Sequence, residues 1–539
     1  MSAVRPAADP VAFKDNARLV LADPVLRRGF RGAMDYLADK RAAQFPEHDA
    51  FERLRSLGEH LRKRALSRLP DLLEQLEQAL HARGVQVHWA EDAADANRIF
   101  HEIAARHDAT MMVKGKSMVS EEIELNHRMQ EHGIACVETD MGEYILQLDN
   151  DRPSHIIMPA IHKTKEDVAK IFAEHIPGAG YTEDVDELIA IGRVALRDKF
   201  RQAKIGVSGV NFMVAETGSL VLVENEGNGR LSTTVPDVHI AITGIEKVIE
   251  KLEHVPPLFT LLTRSATGQA VTTYLNVISG PRREGEKDGP REVHLVLLDN
   301  GRSQAFAEER FRATLQCIRC GACMNHCPVY ARIGGLSYGT TYPGPIGAII
   351  SPHLLGLEST RDLPTASSLC GACGDVCPVG IPIPELLMHL REAGRHDRPA
   401  LQQHKALKGQ GAVRSIPEVL AWKAWRLLYS NGMRYRLFTW IASRLRGLTP
   451  AHQGGWTRSR TPLTPAPRRC ASDGGHRAPP LHTGPTTRRR SRGTRSRRPR
   501  TGSIRSPYTR TARKRERFRP ALGGVAWQLS NNTSKRCCG

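Results

Sequence analysis

Seven of the eleven cysteines lie within 61 residues, at spacings typical of metal ligands. The first run is Cys317, Cys320, Cys323 and Cys327, separated by two, two and three residues and followed by Pro328. Such short gaps let three thiolates converge on one small volume, as a cubane iron–sulfur cluster requires. Zinc sites more often use two separated cysteine pairs, so the spacing favours an iron–sulfur cluster over zinc.

The second run, Cys370, Cys373 and Cys377, repeats the end of this pattern but has Ser367 where its first cysteine would stand. In paired clusters the last cysteine of a run typically binds the other cluster. The spacing therefore predicts two iron–sulfur clusters of the [4Fe–4S] type. Their predicted ligands are Cys317, Cys320, Cys323 and Cys377 for the first cluster and Cys327, Cys370 and Cys373 for the second.

The second ligand set is one cysteine short, and the sequence leaves its fourth ligand open. Ser367, another oxygen or nitrogen ligand, or a residue of a partner protein would complete a [4Fe–4S] cluster. Without a fourth ligand the site would hold a [3Fe–4S] cluster. Because serine is an uncommon ligand of such clusters relative to cysteine, we interpret Ser367 as an ordinary loop serine.

The elements that must position these cysteines follow from hydrophobic periodicity. Apolar positions three or four apart predict helices at the N-terminus, and alternating strands and helices then predict an α/β domain with a largely parallel sheet. Helices flanking the two cysteine runs predict a small α-helical, ferredoxin-like module. The predicted regions are residues 1–80 (helical), 81–300 (α/β), 301–400 (iron–sulfur), 401–465 (helical, mainly 416–447) and 466–539 (tail).

Some elements in this series rest on short apolar runs. Residues 144–148 and 155–158 are predicted as strands, and residues 120–132 and 246–252 as helices. Residues 333–345 are rich in Gly and Tyr and are predicted to form an ordered loop close to the clusters.

Two polar turns in the α/β domain are candidates for binding an anion such as a carboxylate or phosphate. They are residues 216–219 and the Gly-rich residues 225–230, and Lys114, Lys116 and Ser117 could join them. Gly-rich turns at strand ends often receive anions in α/β folds. Ordinary turn chemistry explains the same residues, so both interpretations stay open.

Isolated histidines and one cysteine in the α/β domain are weaker candidates for metal ligands. His155, His162 and His239 each stand alone in an apolar context, so we interpret them as core or surface histidines. Cys136 lies in an apolar run and is predicted to be a buried thiol.

Composition excludes several classes of protein. The sequence contains no run of eighteen apolar residues, so it predicts no membrane span. Residues 1–15 lack the apolar segment of a secretory signal. A cytoplasmic location is therefore predicted, where clustered cysteines act as metal ligands rather than disulfides. No GxGxxG motif follows a predicted strand, so the sequence indicates no nicotinamide or flavin site.

The chain resembles the lactate utilization protein B family well beyond its cysteines. The cysteine strings are CIRCGACMNHCPVY and LCGACGDVCPVGIPIPEL. Four further strings resemble the LUD domain of that family: VKGKSMVSEEIELN (113–126), AETGSL (215–220), NEGNGR (225–230) and VPDVHIAITGIEKVI (235–249). The segment LAWKAWRLLYSNGMRYRLFTWIASRL (420–445) resembles the C-terminal helices of the family, so the resemblance covers roughly residues 10–465.

The resemblance implies a fold akin to sugar-phosphate isomerases and folate cyclo-ligases, and the same seven cysteine ligands. It also implies an electron-transfer subunit that supports the oxidation of L-lactate to pyruvate, as part of a complex rather than a complete enzyme. The implied partners are lactate utilization proteins A, which is cysteine-rich, and C, which has only the LUD domain. An alternative is a small-anion-binding or regulatory LUD protein with structural clusters.

The tail carries nearly all of the formal net charge of +20. Residues 468–539 contain 20 Lys and Arg against 2 Asp and Glu, whereas the other 467 residues contain 57 basic and 55 acidic residues. The absence of hydrophobic periodicity predicts disorder. A basic tail could bind nucleic acid, but GC-rich DNA translated out of frame has the same composition. We favour a frameshift, because the resemblance stops abruptly, and expect no nucleic-acid partner.

Overall fold

The computed structural model describes residues 9–115, 117–394 and 416–452, together with residues 462 and 464. The chain divides into two compact units, Met1–Arg434 and Tyr435–Gly539. The predicted disordered tail, residues 466–539, lies outside the described residues, and so does Lys116. The boundaries of the five predicted regions stay predictions.

Helices form the N-terminal part of the described chain, as the apolar spacing predicted. Asp23 accepts the amides of Val25 and Leu26, and Pro24 occupies the first turn of the second helix, where its missing N–H costs no hydrogen bond. Pro70 likewise begins the fourth helix. These helices are α1 (Phe13–Ala22), α2 (Pro24–Gln44), α3 (His48–Ser67) and α4 (Leu69–His81).

Ten strands follow within the described residues. They are β1 (Val85–Ala90), β2 (Met111–Lys114), β3 (Ala135–Glu138), β4 (Ile205–Gly209), β5 (Phe212–Val214), β6 (Ser219–Glu224), β7 (Val238–Gly244), β8 (Val248–Ile249), β9 (Tyr274–Ile278) and β10 (Glu292–Leu298). Six of them form a fully parallel sheet in the order β1-β10-β7-β4-β2-β3. A smaller mixed sheet has the order β8-β5-β6-β9. The predicted α/β class with a largely parallel sheet is confirmed.

Helices cover both faces of the large sheet, which explains why its central strands are apolar throughout. Ile99 and Phe100 pack on one face with Ile240, whereas Leu76 packs on the other face with Leu295 and the small sheet. The helices of this domain are α5 (Ala93–Arg106), α6 (Met118–Glu122), α7 (Leu125–Glu131), α8 (Met141–Leu148), α9 (Lys165–His175), α10 (Val185–Gln202), α11 (Asn228–Thr234) and α12 (Val255–Ala266).

Two predicted strands are wrong. Residues 144–148 belong to helix α8, which begins because the Asp140 carboxylate accepts the Glu143 amide at 3.2 Å. Residues 155–158 form a bend rather than a strand. The His155 imidazole Nδ1 accepts the amides of Ile157 and Met158, both at 3.1 Å, and so replaces the backbone partners of a sheet.

Two predicted helices also differ from the structure. Residues 120–132 contain the two helices α6 and α7, because Glu124 between them takes a left-handed φ of 54°. Residues 246–252 are not an α-helix. A 3-10 turn at Ile245–Lys247 leads directly into the short strand β8.

The regular elements in the described part of the cysteine region are all helices, as predicted. The predicted loop at residues 333–345 contains a 3-10 turn, Leu336–Tyr338, and ends where an almost wholly buried helix begins at Gly344. The helices are α13 (Arg302–Ala307), α14 (Glu309–Arg312), α15 (Ala322–Asn325), α16 (Tyr330–Ile333), α17 (Gly344–Leu355), α18 (Leu357–Thr360), α19 (Ala372–Asp375) and α20 (Ile383–Ala393).

The predicted helical stretch at residues 416–447 is confirmed by α21 (Ile416–Tyr429) and α22 (Gly432–Arg444). Over the described ranges, every helix is too short or too polar to cross a membrane. The cytoplasmic location stays a prediction.

Candidate iron–sulfur site and the adjoining cavity

The two cysteine loops share one backbone design. In the first, Arg319 has a φ of 62° just before Cys320, and Gly321 has a φ of 75° just after it. In the second, Leu369 and Gly371 flank Cys370 with φ values of 54° and 90°. Each glycine then begins a one-turn helix, α15 or α19. This repetition places Ser367 at the position that Cys317 holds in the first loop.

The seven predicted ligands lie in this module, but they differ in exposure. Cys370 is exposed, and the other six cysteines are buried, each 8% exposed or less. All eight cysteines in the described part of the chain are free thiols. A free, clustered set of thiols is the donor set that an iron–sulfur cluster requires.

Mutual effects on pKa show which thiols are neighbours. Burial, followed by the charges of Cys317 and Cys377, raises the pKa of Cys320 to about 12. Burial and Cys320, Cys317 and Cys377 likewise raise the pKa of Cys323 well above its usual range. These four thiols therefore lie together.

The remaining three thiols form a second group. Burial and the neighbouring Cys327 and Cys370 raise the pKa of Cys373 to about 12. Cys370 also contributes to the raised pKa of Cys327, after burial. The two groups adjoin, because Cys373 is among the charges that raise the pKa of Cys323.

Backbone amides point at three of the sulfurs. The amide of Arg319 lies 3.3 Å from Cys317 Sγ, that of Tyr330 3.5 Å from Cys327 Sγ, and that of Ile381 3.4 Å from Cys377 Sγ. Hydrogen bonds to sulfur stabilise thiolates and tune the potential of a bound cluster. Both cysteine groups thus fit iron–sulfur clusters by donor type and by surroundings.

Ser367 has a local role in the second loop. Its hydroxyl oxygen accepts the Leu369 amide at 3.2 Å, and its carbonyl accepts Arg391 Nη2 at 2.9 Å. Both contacts suit a serine that shapes the loop. The fourth ligand of the second group stays open.

Arginines of the N-terminal helices hold the second loop. Arg41 donates to the Val376 carbonyl at 3.0 Å. Arg55 donates to the carbonyls of Cys377 and Gly374 at 2.9 and 3.1 Å. Sequence reasoning missed both residues, because their partners lie more than 300 positions away.

Arg62 holds the chain that leads into the first loop. Its guanidinium is buried and donates to the carbonyls of Leu315, Gln316 and Val248 at 3.1, 3.2 and 3.1 Å, and also to that of Glu246. Burial lowers its pKa to about 10. A single side chain of α3 therefore joins the N-terminal helices, the small sheet and the cysteine module.

A buried charge network connects the α/β domain to the first loop. Arg302 donates to the Glu122 carboxylate at 2.8 and 2.7 Å and to Glu246 at 2.8 Å. Tyr342 donates to Glu122 at 2.8 Å, and Arg319 Nη2 lies 3.3 Å from Glu246. Burial alone would raise the pKa of Glu246, but Arg302 and Arg319 lower it to about 2. The only sign of this buried network in the sequence is the charged pair Glu246-Lys247, which stands inside an apolar run.

A cavity of about 350 Å³ lies beside the first loop. The residues that follow strands β2 and β4 line it, as do Lys247 and Arg319. Ligands of parallel α/β sheets bind at the carboxyl ends of the strands, which is where this cavity lies. Lys247 Nζ donates to the Cys317 carbonyl at 3.0 Å, so the wall of the cavity contacts the cysteine loop.

The structure brings only part of the predicted anion site together. The cavity is bordered by Asn225, Glu226, Asn228 and Gly229 of the Gly-rich loop and by Ser117. However, the amides of Gly229 and Arg230 already donate to the Glu224 carboxylate, each at 2.7 Å. The Gly-rich loop therefore binds its own carboxylate, and an anion would have to be held by other groups.

The other two parts of the predicted anion site lie elsewhere. Lys114 is buried and ion-paired with Glu121 and Glu138. The turn at residues 216–219 packs against α4, since a Cβ on Gly218 would lie 2.7 Å from the backbone of Ala79. Neither lines the cavity.

The three histidines have partners within the protein. His155 Nε2 lies 2.9 Å from Asn325 Oδ1, His162 Nδ1 lies 2.7 Å from Ser154 Oγ, and His239 Nε2 lies 2.8 Å from Ser208 Oγ. Burial lowers the pKa of His239 to about 3 and keeps it neutral. Cys136 is buried, as predicted, and burial raises its pKa to about 12.

A parallel α/β domain joined to a helical module with two cysteine loops defines an iron–sulfur protein with a LUD-type domain. Family models match three parts of the chain: the LUD domain over residues 73–298, the 4Fe-4S dicluster domain over residues 313–381, and the C-terminal region of lactate utilisation protein B over residues 390–472.

Curated relatives extend this match over most of the chain. Lactate utilization protein B of Shouchella clausii is 42% identical over 464 residues, covering 85% of this chain and 95% of that protein. Lactate utilization protein B of Bacillus subtilis is 43% identical, covering 74% and 84%. The uncharacterized electron transport protein YkgF of Escherichia coli is 43% identical, covering 76% and 86%. The chain belongs to the lactate utilization protein B family, and it contains a 4Fe-4S dicluster domain.

Proposed function

We propose that this chain is the electron-transfer subunit of a complex that oxidises L-lactate to pyruvate. The observation that carries the proposal is the pair of adjoining thiol groups in one module, which suits two clusters close enough to exchange electrons. The proposed ligands are Cys317, Cys320, Cys323 and Cys377 for a first [4Fe–4S] cluster and Cys327, Cys370 and Cys373 for a second cluster.

The protein groups around these thiols have distinct tasks. Arg41, Arg55 and Arg62 fix the loops by binding backbone carbonyls, which keeps the thiols converged. Arg319 places positive charge beside the first loop, where it offsets the negative charge of thiolates. Burial and Arg319 lower the pKa of Lys247 to about 7, so this lysine adds positive charge when it is protonated. Clusters bound here would supply one-electron transfer, and two of them match the two electrons that lactate releases.

The proposed partners are lactate utilization proteins A and C, together with an electron acceptor. The exposed Cys370 marks the second group as the one nearest to solvent. We place electron exchange with a partner at this group, because transfer between proteins requires a centre close to the surface.

The test begins with anaerobic purification, analysis of iron and acid-labile sulfide, and electron paramagnetic resonance (EPR). Reconstitution with proteins A and C should then allow L-lactate to reduce the clusters. Stoichiometric zinc without labile sulfide would contradict the cluster assignment. Intact clusters that lactate and both partners fail to reduce would instead favour the second candidate, a small-anion-binding or regulatory protein, which the cavity beside the first loop supports.

A further inference from the structure

Three residues of the cavity wall each carry a buried polar side-chain atom that lacks a hydrogen-bond partner within the described chain: Arg319 Nη1, Asn228 Nδ2 and Thr263 Oγ1. A buried donor without a partner costs about 1–3 kcal/mol. Such a cost is seldom tolerated three times around one space. A ligand that accepts hydrogen bonds in this cavity would supply partners for these groups after a small rotation of their side chains.

Charge selects the kind of ligand. Lys247 and Arg319 both lie in the wall, and Lys247 is only 5% exposed. Burial and the charge of Arg319 lower the pKa of Lys247 to about 7, so a bound anion would favour the protonated lysine. Lys247 donates to the Cys317 carbonyl, and Arg319 Nη2 contacts Glu246, so each side chain keeps N–H groups for another acceptor. Both are donors suited to a carboxylate.

The acidic residues of the wall keep their negative charge, but each already accepts a backbone amide. Glu224 accepts two amides of its own loop, Glu226 accepts the Met141 amide at 3.1 Å, and Asp140 accepts the Glu143 amide at 3.2 Å. Apolar groups complete the lining, including Ile156, Leu222 and Leu262. This combination suits a small anion with a short hydrocarbon part.

We infer that the cavity binds a small 2-hydroxy or 2-oxo carboxylate, with its carboxylate on Arg319 and Lys247. Asn228 and Thr263 would hydrogen-bond its hydroxyl or oxo oxygen, since a threonine hydroxyl both donates and accepts. A volume of about 350 Å³ is ample for two to four carbons and a few waters. The choice of L-lactate and pyruvate within this class rests on the proposed function.

Because the cavity adjoins the first cysteine loop, a bound ligand should also change the reduction potential of the first cluster. The Arg319 amide donates to Cys317 Sγ at 3.3 Å, and Lys247 donates to the carbonyl of the same cysteine. An anion bound to Arg319 and to protonated Lys247 would neutralise positive charge next to the first cluster. Because positive charge favours the reduced cluster, a bound carboxylate should shift the reduction potential of the first cluster to a more negative value, and that of the second cluster less.

The binding test uses the full-length, iron-loaded protein under anaerobic conditions, with calorimetric titration of L-lactate and pyruvate. Lactamide, which replaces the carboxylate by a neutral amide, should bind at least tenfold more weakly. Inorganic phosphate and propionate test whether any anion or any carboxylate suffices. If neither L-lactate nor pyruvate binds to protein with a full complement of iron, the inference is wrong.

Variants assign the contacts. Arg319→Gln should weaken pyruvate binding roughly tenfold to 100-fold, and Thr263→Val, which keeps the shape of the side chain, by about 2–10-fold. Arg64→Gln is the matched control, because Arg64 pairs with Glu250 on the surface, and it should bind as wild type does. Equal binding by all three variants would overturn the site, and Thr263→Val keeps the test valid if Arg319→Gln loses iron.

Potentiometric titration followed by EPR, with and without saturating pyruvate, tests the coupling. A negative shift confined mainly to the first cluster is expected, and unchanged potentials would exclude the coupling. The proposed electron-transfer role has a separate readout. Binding with no lactate-driven reduction in the reconstituted complex would refute that role alone, whereas reduction without binding to this chain would refute the inference alone.

Discussion

The two cysteine loops have the same backbone and different surroundings. Each has a left-handed residue before its central cysteine and a left-handed glycine after it. The first loop is enclosed by Arg62, Lys247 and the charge network, whereas the second leaves Cys370 exposed. Local sequence thus specifies how the thiols converge, and distant residues determine how deeply each group is buried and what charge it meets. This contrast supports the proposal that the first site sets a reduction potential and the second exchanges electrons with a partner.

The largest expected effect comes from removing one thiol from each group. Cys320→Ser should abolish the first cluster, reduce iron by about half and prevent reduction by lactate, because this buried position leaves no room for a substitute ligand. Cys370→Ser should keep the first cluster intact, as seen by EPR, since Cys370 belongs to the other group. If both variants lose the same signal, the division into two groups is wrong.

The next effect compares the arginines that hold the loops. Arg62→Met should cost about 3–5 kcal/mol, because it leaves four carbonyls without a buried charged donor. Arg55→Met, at a side chain that is 24% exposed, should cost about 1–2 kcal/mol. Denaturant unfolding under anaerobic conditions measures both. Equal losses would show that the enclosure of the first loop adds nothing to its stability.

These arginines also show where prediction from sequence ends. The two cysteine loops and the parallel sheet were predictable, because each depends on a local pattern in the sequence. The buried contacts of Arg62, Arg302 and Glu122 were not predictable, because their partners are distant in sequence. A charged residue on a helix ordinarily indicates a solvated face.

The wrong elements have a related cause. An apolar run as short as residues 144–148 fits a strand or a buried helix equally well, and the cap at Asp140 decides for the helix. Residues 155–158 are shaped by the module that they contact, since His155 also hydrogen-bonds Asn325 beside the first cysteine run. The candidate cavity was missed in part because the predicted Gly-rich loop turned out to bind Glu224.

A smaller effect tests the charge beside the first loop through pH. The pKa of Glu246 is lowered to about 2 from an ordinary value of 4.5. A lowered carboxyl pKa stabilises the fold above pH 4.5, and that contribution is lost as the pH falls toward 2. From pH 7 to pH 4 the wild type should lose roughly 1 kcal/mol through this group. Glu246→Gln should be less stable than the wild type at pH 7, but its free energy of unfolding should lack this loss between pH 7 and pH 4. If the free energies of the two proteins fall in parallel with pH, the lowered pKa of Glu246 is wrong.

The smallest expected effect is at Ser367, where the loops differ in their chemistry. Ser367→Ala removes one hydrogen bond to the Leu369 amide and should cost about 0.5–1.5 kcal/mol. If Ser367 only shapes the loop, iron content and EPR signals should be unchanged. Loss of iron from the second cluster would instead identify Ser367 as its fourth ligand.

Ser367→Cys supplies the missing thiol at the position of Cys317 in the repeated backbone, and it should make the second cluster more resistant to air. A wild-type response of that variant would mean that the fourth ligand comes from outside this loop.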